Sequence, residues 1–200
     1  MSLVRGPLIA LILLITAGCG SLSPPPKDTF YRLDFGLPGP QGESAEAKDV
    51  IYLPPFWASG LHSERALVFA HADGTSLEQQ VYHFWIDSPR VMLQHALADH
   101  LRSVAGARVV LEPATTAAYT LRGRIRRFER TNSGGSNYAQ VDLNIALYGS
   151  NGSVPEFERD YKSSIPVGGH SVAAGVAALS EGTKQIFTTF TGDLRRYLEQ

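Results

Sequence analysis

Cys19 is the only cysteine in the chain, so no disulfide can close within it and whatever folds must be held by buried apolar surface alone. A lone thiol has three readings: a buried apolar residue, a reactive group, or a chemical handle set apart from the fold. The residues before it narrow the choice. Arg5 is the one cation among the first seven residues, and an apolar run of 11 residues, LIALILLITAG, follows from Leu8 to Gly18. Crossing ~30 Å of hydrocarbon takes roughly 20 residues. A short apolar core behind a positive start and ahead of small residues reads instead as a secretory signal. Residues 1–18 are therefore expected to play no part in the fold.

The run Thr16-Ala17-Gly18-Cys19 resembles the lipobox of bacterial lipoproteins, departing from it at Thr16, where Leu is usual. In that class the cysteine sulfur receives a diacylglyceryl group, the signal is cut in front of it, and the new amine is acylated. The alternative is ordinary secretion with an incidental cysteine. One acyl chain holds a protein only marginally, at about 0.8 kcal/mol per buried CH₂, whereas two or more anchor it stably. On this reading Cys19 is the lipidation site and attaches the chain to a membrane. Residues 19–28 are a tether, whose SLSPPPKD stretch reaches roughly 25 Å in an extended polyproline conformation. Residues 29–200 form one domain. The chain is 44% hydrophobic and 18% charged with a net charge of −1, which suits a single globular core. It has no basic excess of the kind nucleic-acid binding needs.

Periodicity places the elements. TFYRLDF (29–35) and VIYL (50–53) are β-branched and aromatic runs bounded by Pro and Gly, as strands are. Between them GLPGPQGESAEA (36–47) is too poor in apolar residues to pack and is expected to be a loop. ALVFAHADGTSLEQQVYHFW pivots on Asp73-Gly74, a tight-turn dipeptide, and predicts a hairpin. Ser88-Pro89 supplies an N-cap and a first-turn proline to a helix whose Leu93, Leu97, Leu101 and Val104 recur at helical spacing. ARVVLEP is a further strand. TLRGRIRRFER and VDLNIALYG face one another across TNSGGSN, with Val141, Leu143, Ile145 and Leu147 on a buried face and Asp142, Asn144 and Tyr148 on a wet one. FERDYKSSIPV is the last strand, and apolar residues at 172, 176, 179, 186, 190, 194 and 197 mark a closing amphipathic helix. The fold class is α+β: a mainly antiparallel sheet with two helices packed on one face.

Catalytic and metal patterns are lacking. There is no phosphate-binding loop motif and no HExxH; His95 and His100 are five residues apart on the first helix and do not share a face. Gly169-His170-Ser171-Val172-Ala173 imitates a nucleophile elbow but lacks its second glycine, and no histidine follows Ser171. Ser171 is better read as a helix N-cap. No catalytic residue, metal ligand or cofactor is assigned, apart from the covalent lipid on Cys19.

Two surface features remain. Alternation sets Arg122, Arg124 and Arg126 on one face of their strand and Leu121, Gly123 and Ile125 on the other. The arginines would meet lipid headgroups or an acidic partner, or form a solvated face balanced by Asp142 on the next strand. Pro54, Pro55, Phe56 and Trp57, with Leu61 nearby, put two large rings at a rigid strand end. Those rings serve either a partner interface or the core.

The Tyr31-Arg32-Leu33 strand, the Val50–Pro55 strand end, the hairpin closing on Trp85 and Asp87-Ser88-Pro89, and the helix VMLQHALADHL resemble, in order and spacing, the ABC-type transport auxiliary lipoprotein family, of the paraquat-inducible protein C type. Relatives often carry Tyr-Leu-Asp-Arg where this chain has Phe56-Trp57-Ala58-Ser59. The resemblance implies a non-enzymatic, lipid-anchored periplasmic partner of a mammalian-cell-entry (MCE) domain protein in an ABC lipid transport system, docking as one copy or as a homo-oligomer. Gly20 stands where such lipoproteins carry Asp for inner-membrane retention, which implies the outer membrane. A carrier that itself holds lipid, and a regulator of another envelope machine such as a cell-wall synthase, are the alternatives.

Overall fold

The computed structural model describes residues 26–36, 49–150 and 152–199. The signal segment, Cys19, most of the tether and most of the 36–47 loop lie outside them. Eight strands form one sheet: β1 (Thr29–Tyr31), β2 (Val50–Tyr52), β3 (Ala66–Ala70), β4 (Leu77–Trp85), β5 (Arg108–Val110), β6 (Tyr119–Ser133), β7 (Ser136–Gly149) and β8 (Phe157–Pro166). Helix α1 spans Pro89–Ala105 and helix α2 spans Val172–Leu198.

The sheet is organised by β6. One edge pairs antiparallel with β7 along its whole length, and β7 pairs antiparallel with β8. The other edge is tiled by three short segments: β2 opposite Tyr119 and Thr120, a single bridge from Trp57 opposite Arg124, and β3 opposite Arg130 and Thr131. The expected α+β class is found, with two α-helices among the described residues, but the sheet is mixed. Its three longest strands form the antiparallel meander, and β3–β4 is antiparallel too; β1–β4, β2–β5, β2–β6 and β3–β6 run parallel. Three-residue strands carry no sequence mark of direction, which is set by the long connections between them.

The anticipated alternation on β7 is present: Val141, Leu143, Ile145 and Leu147 are buried beneath the helices. Leu93, Leu97 and Leu101 of α1 and Ile186, Phe187, Phe190 and Leu194 of α2 complete the core. The β6–β7 strands run further into the predicted turn than the pattern implied, closing on Gly134 and Gly135, both at positive φ, the backbone that a two-residue hairpin turn requires. Ser171 caps α2 by accepting a hydrogen bond from the Ala174 amide at 3.1 Å. At α1, Ser88 occupies the cap position without a side-chain hydrogen bond.

One departure has wide effects. β6 carries a bulge between Ile125 and Arg127, and an extra residue resets the alternation of all that follow. Before it, Leu121, Gly123 and Ile125 face the helices and the even-numbered arginines face away; after it, Phe128 packs inward on Trp85 at 5.2 Å and Arg130 turns inward as well.

Candidate interaction surface

Leu53 to Ser63 leaves β2, crosses the middle of β6 and ends in a 3₁₀ turn, Gly60–Ser63. Leu53 is fixed by its amide to the Val110 carbonyl at 2.9 Å and by Gln94 Nε2 donating to its carbonyl at 2.8 Å. Phe56 accepts from Arg90 Nε at 2.8 Å and donates its amide to the Arg90 carbonyl at 3.1 Å. The Trp57 amide donates to Gly123 O and its carbonyl accepts from the Ile125 amide, each at 2.8 Å. Trp57 is thereby a one-residue strand.

Strand geometry sends adjacent side chains to opposite faces, and it splits the aromatic pair. Phe56 is fully buried, its ring lying over Gly123 so closely that a Cβ there would stand 2.2 Å from a ring carbon. It is a core residue and offers nothing to a partner. Trp57 is 49% exposed. Pro55 is also exposed, and Pro54 and Leu61 are partly buried.

The arginine row and the aromatic tip, separate features of the sequence, meet here. The Arg124 guanidinium lies 4.3 Å from the centre of the Trp57 ring, and Arg122 lies 4.5 Å from that of Tyr148 on β7. Such cation–π pairs contribute about 0.5–1 kcal/mol at exposed sites. They also hold flexible arginines in place. Arg126 pairs with Asp160 of β8 at 3.1 Å, so the acidic partner of the row is not Asp142, which stands opposite Arg127. Asn144 bridges Glu158 and Asp160 at 3.0 and 2.8 Å. The face is thus an arginine–aromatic strip along β6 with a carboxylate margin on β8.

The 3₁₀ turn is latched to the same face. His62 Nε2 donates to Glu129 Oε2 at 2.8 Å, and Arg127 donates to Oε1 at 3.0 and 2.8 Å. Burial alone would raise the Glu129 carboxyl, but the hydrogen bonds from His62 and Arg127 outweigh it and hold Glu129 below the usual carboxylate range. Glu129 and His62 were not singled out from sequence; nothing in their spacing joins residues 67 positions apart. Among the described residues no three His, Cys, Asp or Glu side chains converge as a metal site, and no helix is long and apolar enough to cross a membrane.

Residues 31–189 match the sequence profile of the family described as ABC-type transport auxiliary lipoprotein component. No curated protein matches the chain. Among solved structures, a Xanthomonas campestris protein described under DUF330 superposes with a TM-score of 0.72 at 17% identity, covering 86% of this chain and 97% of its own. The crystal structure of an uncharacterised protein gives 0.69 at 14% identity, over 84% and 99%. A hypothetical protein from Chlamydia trachomatis gives 0.51 at 10% identity, over 76% and 98%. At these identities the likeness is one of fold.

Proposed function

The chain belongs to the ABC-type transport auxiliary lipoprotein family, and on that premise we propose that it serves a lipid transport system by docking, through the Trp57–arginine strip, onto an MCE-domain protein. The family is one of transport auxiliary components of the cell envelope and not a known enzyme family. In our reading palmitate-type acyl chains on Cys19 hold the domain at the periplasmic face of the outer membrane. The Pro-rich tether gives it the reach to meet the far end of a lipid conduit, as one copy or as a ring.

The observation that carries the site is Trp57: a large ring pinned half-exposed by backbone bonds to β6 and faced by Arg124. Trp and Arg are the residues most enriched at interface hot spots. Trp57→Ala combined with Arg124→Glu should abolish co-purification of the MCE-domain protein while leaving the domain folded, because neither side chain is in the core. Undiminished co-purification from that variant refutes the site. A complex absent even from wild-type membranes refutes the partner.

A second reading, lipid carriage, draws on a different place. A cleft of about 350 Å³ opens between the sheet and the C-terminal ends of both helices, lined by Ile51, Ala107, Tyr119, Leu194 and Leu198. Stoichiometric phospholipid recovered with the mature Cys19→Ser chain would favour it over docking alone.

A further inference from the structure

A second cleft, of about 370 Å³, lies at the opposite end of β6, where β3 ends and the β6–β7 hairpin turns back. Its deepest charged group is Arg130, only 8% exposed. Phe69, its neighbour across the parallel β3–β6 pairing, presents its ring 4.9 Å from the guanidinium carbon. Arg130 Nη1 donates to the His170 carbonyl at 3.0 Å, with the Ser171 carbonyl at 3.5 Å.

That contact uses a fraction of what the side chain offers. A guanidinium carries five N–H donors in a fixed plane and cannot shed its charge. Nε and Nη2 meet no acceptor among the described residues, and no carboxylate of those residues lies within ion-pair distance of Arg130. Glu78, at the cleft wall, stands 3.4 Å from His71. Arg130 is thus a largely buried cation without a counter-charge among the described residues, and its unpartnered nitrogens are not sealed from solvent, so they stay open to an anion entering the cleft. Its burial pulls the guanidinium below its ordinary value. Pinning the turn before α2 calls for one donor, which a neutral side chain could supply.

The walls supply further donors. Asn132 and Asn137 face each other across the hairpin, Nδ2 to Oδ1 at 3.2 Å, and the Asn137 amide reaches His170 Nδ1 at 3.5 Å. A planar fork backed by an aromatic ring, with side-chain amides around it, suits tetrahedral oxyanions, whose oxygens accept two parallel N–H bonds. The bulge at Ile125/Arg127 makes this possible, since without it Arg130 would lie on the outer face with Arg122 and Arg124.

We propose that the cleft over Arg130, Asn132 and Asn137 binds a phosphate group, carried on a lipid headgroup or free in solution. This goes beyond the docking reading and does not depend on it.

The test uses the mature chain carrying Cys19→Ser, titrated by calorimetry with inorganic phosphate and with dihexanoyl phosphatidic acid below its micelle concentration, each against sodium chloride of matched ionic strength. Saturable binding of either phosphate compound is expected, about tenfold weaker in Arg130→Lys, which keeps the charge but loses the fork. Should that variant fold poorly, Asn137→Ala leaves Arg130 in place and is expected to weaken binding by several-fold. Tighter binding of phosphatidic acid than of phosphate would assign the site to a lipid headgroup; equal or weaker binding would assign it to a soluble phosphate. No binding beyond the chloride control, or binding indifferent to both substitutions, overturns the proposal.

Discussion

Gly123→Ala is the sharpest probe of how the Trp57–arginine strip is built. Its new methyl would lie 2.2, 2.4 and 2.5 Å from three carbons of the Phe56 ring, whereas carbon atoms in contact prefer about 3.5–4.0 Å. More than 1 Å of separation must be found. The ring is fully buried and the backbone of residue 56 is held on Arg90, while β6 at this point is bonded to β7 on one side and to Trp57 on the other. Neither partner gives easily, so the cost belongs at the upper end of the overpacking range, about 3 kcal/mol. For a domain of this size that is roughly 6–12 °C in Tm. Phe56→Ala alone leaves a cavity and costs about 3–5 kcal/mol. In the double variant the methyl added at position 123 enters that cavity, so the pair should cost no more than Phe56→Ala alone, a coupling of about 3 kcal/mol, the upper end of the range for residues in contact. Urea titrations of the four proteins, followed by tryptophan fluorescence, measure this directly. A Gly123→Ala chain as stable as wild type, or strictly additive single effects, would refute the account of Trp57 being seated through Phe56 and Gly123.

Three further outcomes are expected. His100 lies in the core beside Phe187, with both ring nitrogens lacking a partner among the described residues, and burial, reinforced by the charge of Lys184, holds it below its ordinary value of 6.5. The unfolded chain takes up that proton first, so stability should fall as pH drops below about 6.5; thermal melts from about pH 7.5 to about pH 5 should lose this slope in His100→Leu, and an unchanged slope would show that the imidazole is not its source. Glu129 acts in a separate, lower window: being held below the usual 4.5, it adds stability above that pH which is lost as pH falls through its depressed value. Ser171→Ala removes the acceptor of the Ala174 amide and should cost about 1 kcal/mol in a melt without affecting partner capture, whereas loss of capture at unchanged fold would point to a role other than capping.

The sequence was legible wherever a side chain's fate follows from its own neighbours in the chain. The buried face of β7, the registers of both helices and the Ser171 cap rest on local spacing, Val104 alone of the α1 row being exposed, at 43%, where the helix runs out past the sheet-facing residues, and a period of two or 3.6 can be read without a third dimension. Trp57 and Phe56 could not be sorted, because their separation depends on a one-residue bridge to a strand 67 positions away. The latch of Glu129 to His62 and the pairing of Arg126 with Asp160 have the same long-range character. The inward turn of Arg130 was hidden for another reason: continuing the period-two alternation from Arg122 would put it outside, and the bulge that turns it inward leaves no composition signal, with Ile125, Arg126 and Arg127 all ordinary strand residues.

That single extra residue gives β6 two chemically different ends. On the outer face ahead of the bulge, Arg122 stacks on the partly buried Tyr148 ring and Arg124 on the exposed Trp57 ring, and both guanidinium groups stay in water, where a charge is cheap to keep and free to meet a surface of opposite charge. Behind it Arg130 is carried under the start of α2, where a cation is expensive and selects for an anion small enough to enter a cleft. The two sites share a rigid strand hydrogen-bonded to β7 through Ser133. Occupancy of the inner cleft should therefore leave the geometry of the outer strip unchanged, because the strand that carries both is fixed along its length. Saturating phosphate is accordingly expected to raise Tm without altering capture of the proposed MCE-domain partner by more than about twofold, and a larger change would mean that β6 shifts register about its bulge rather than acting as a fixed rail.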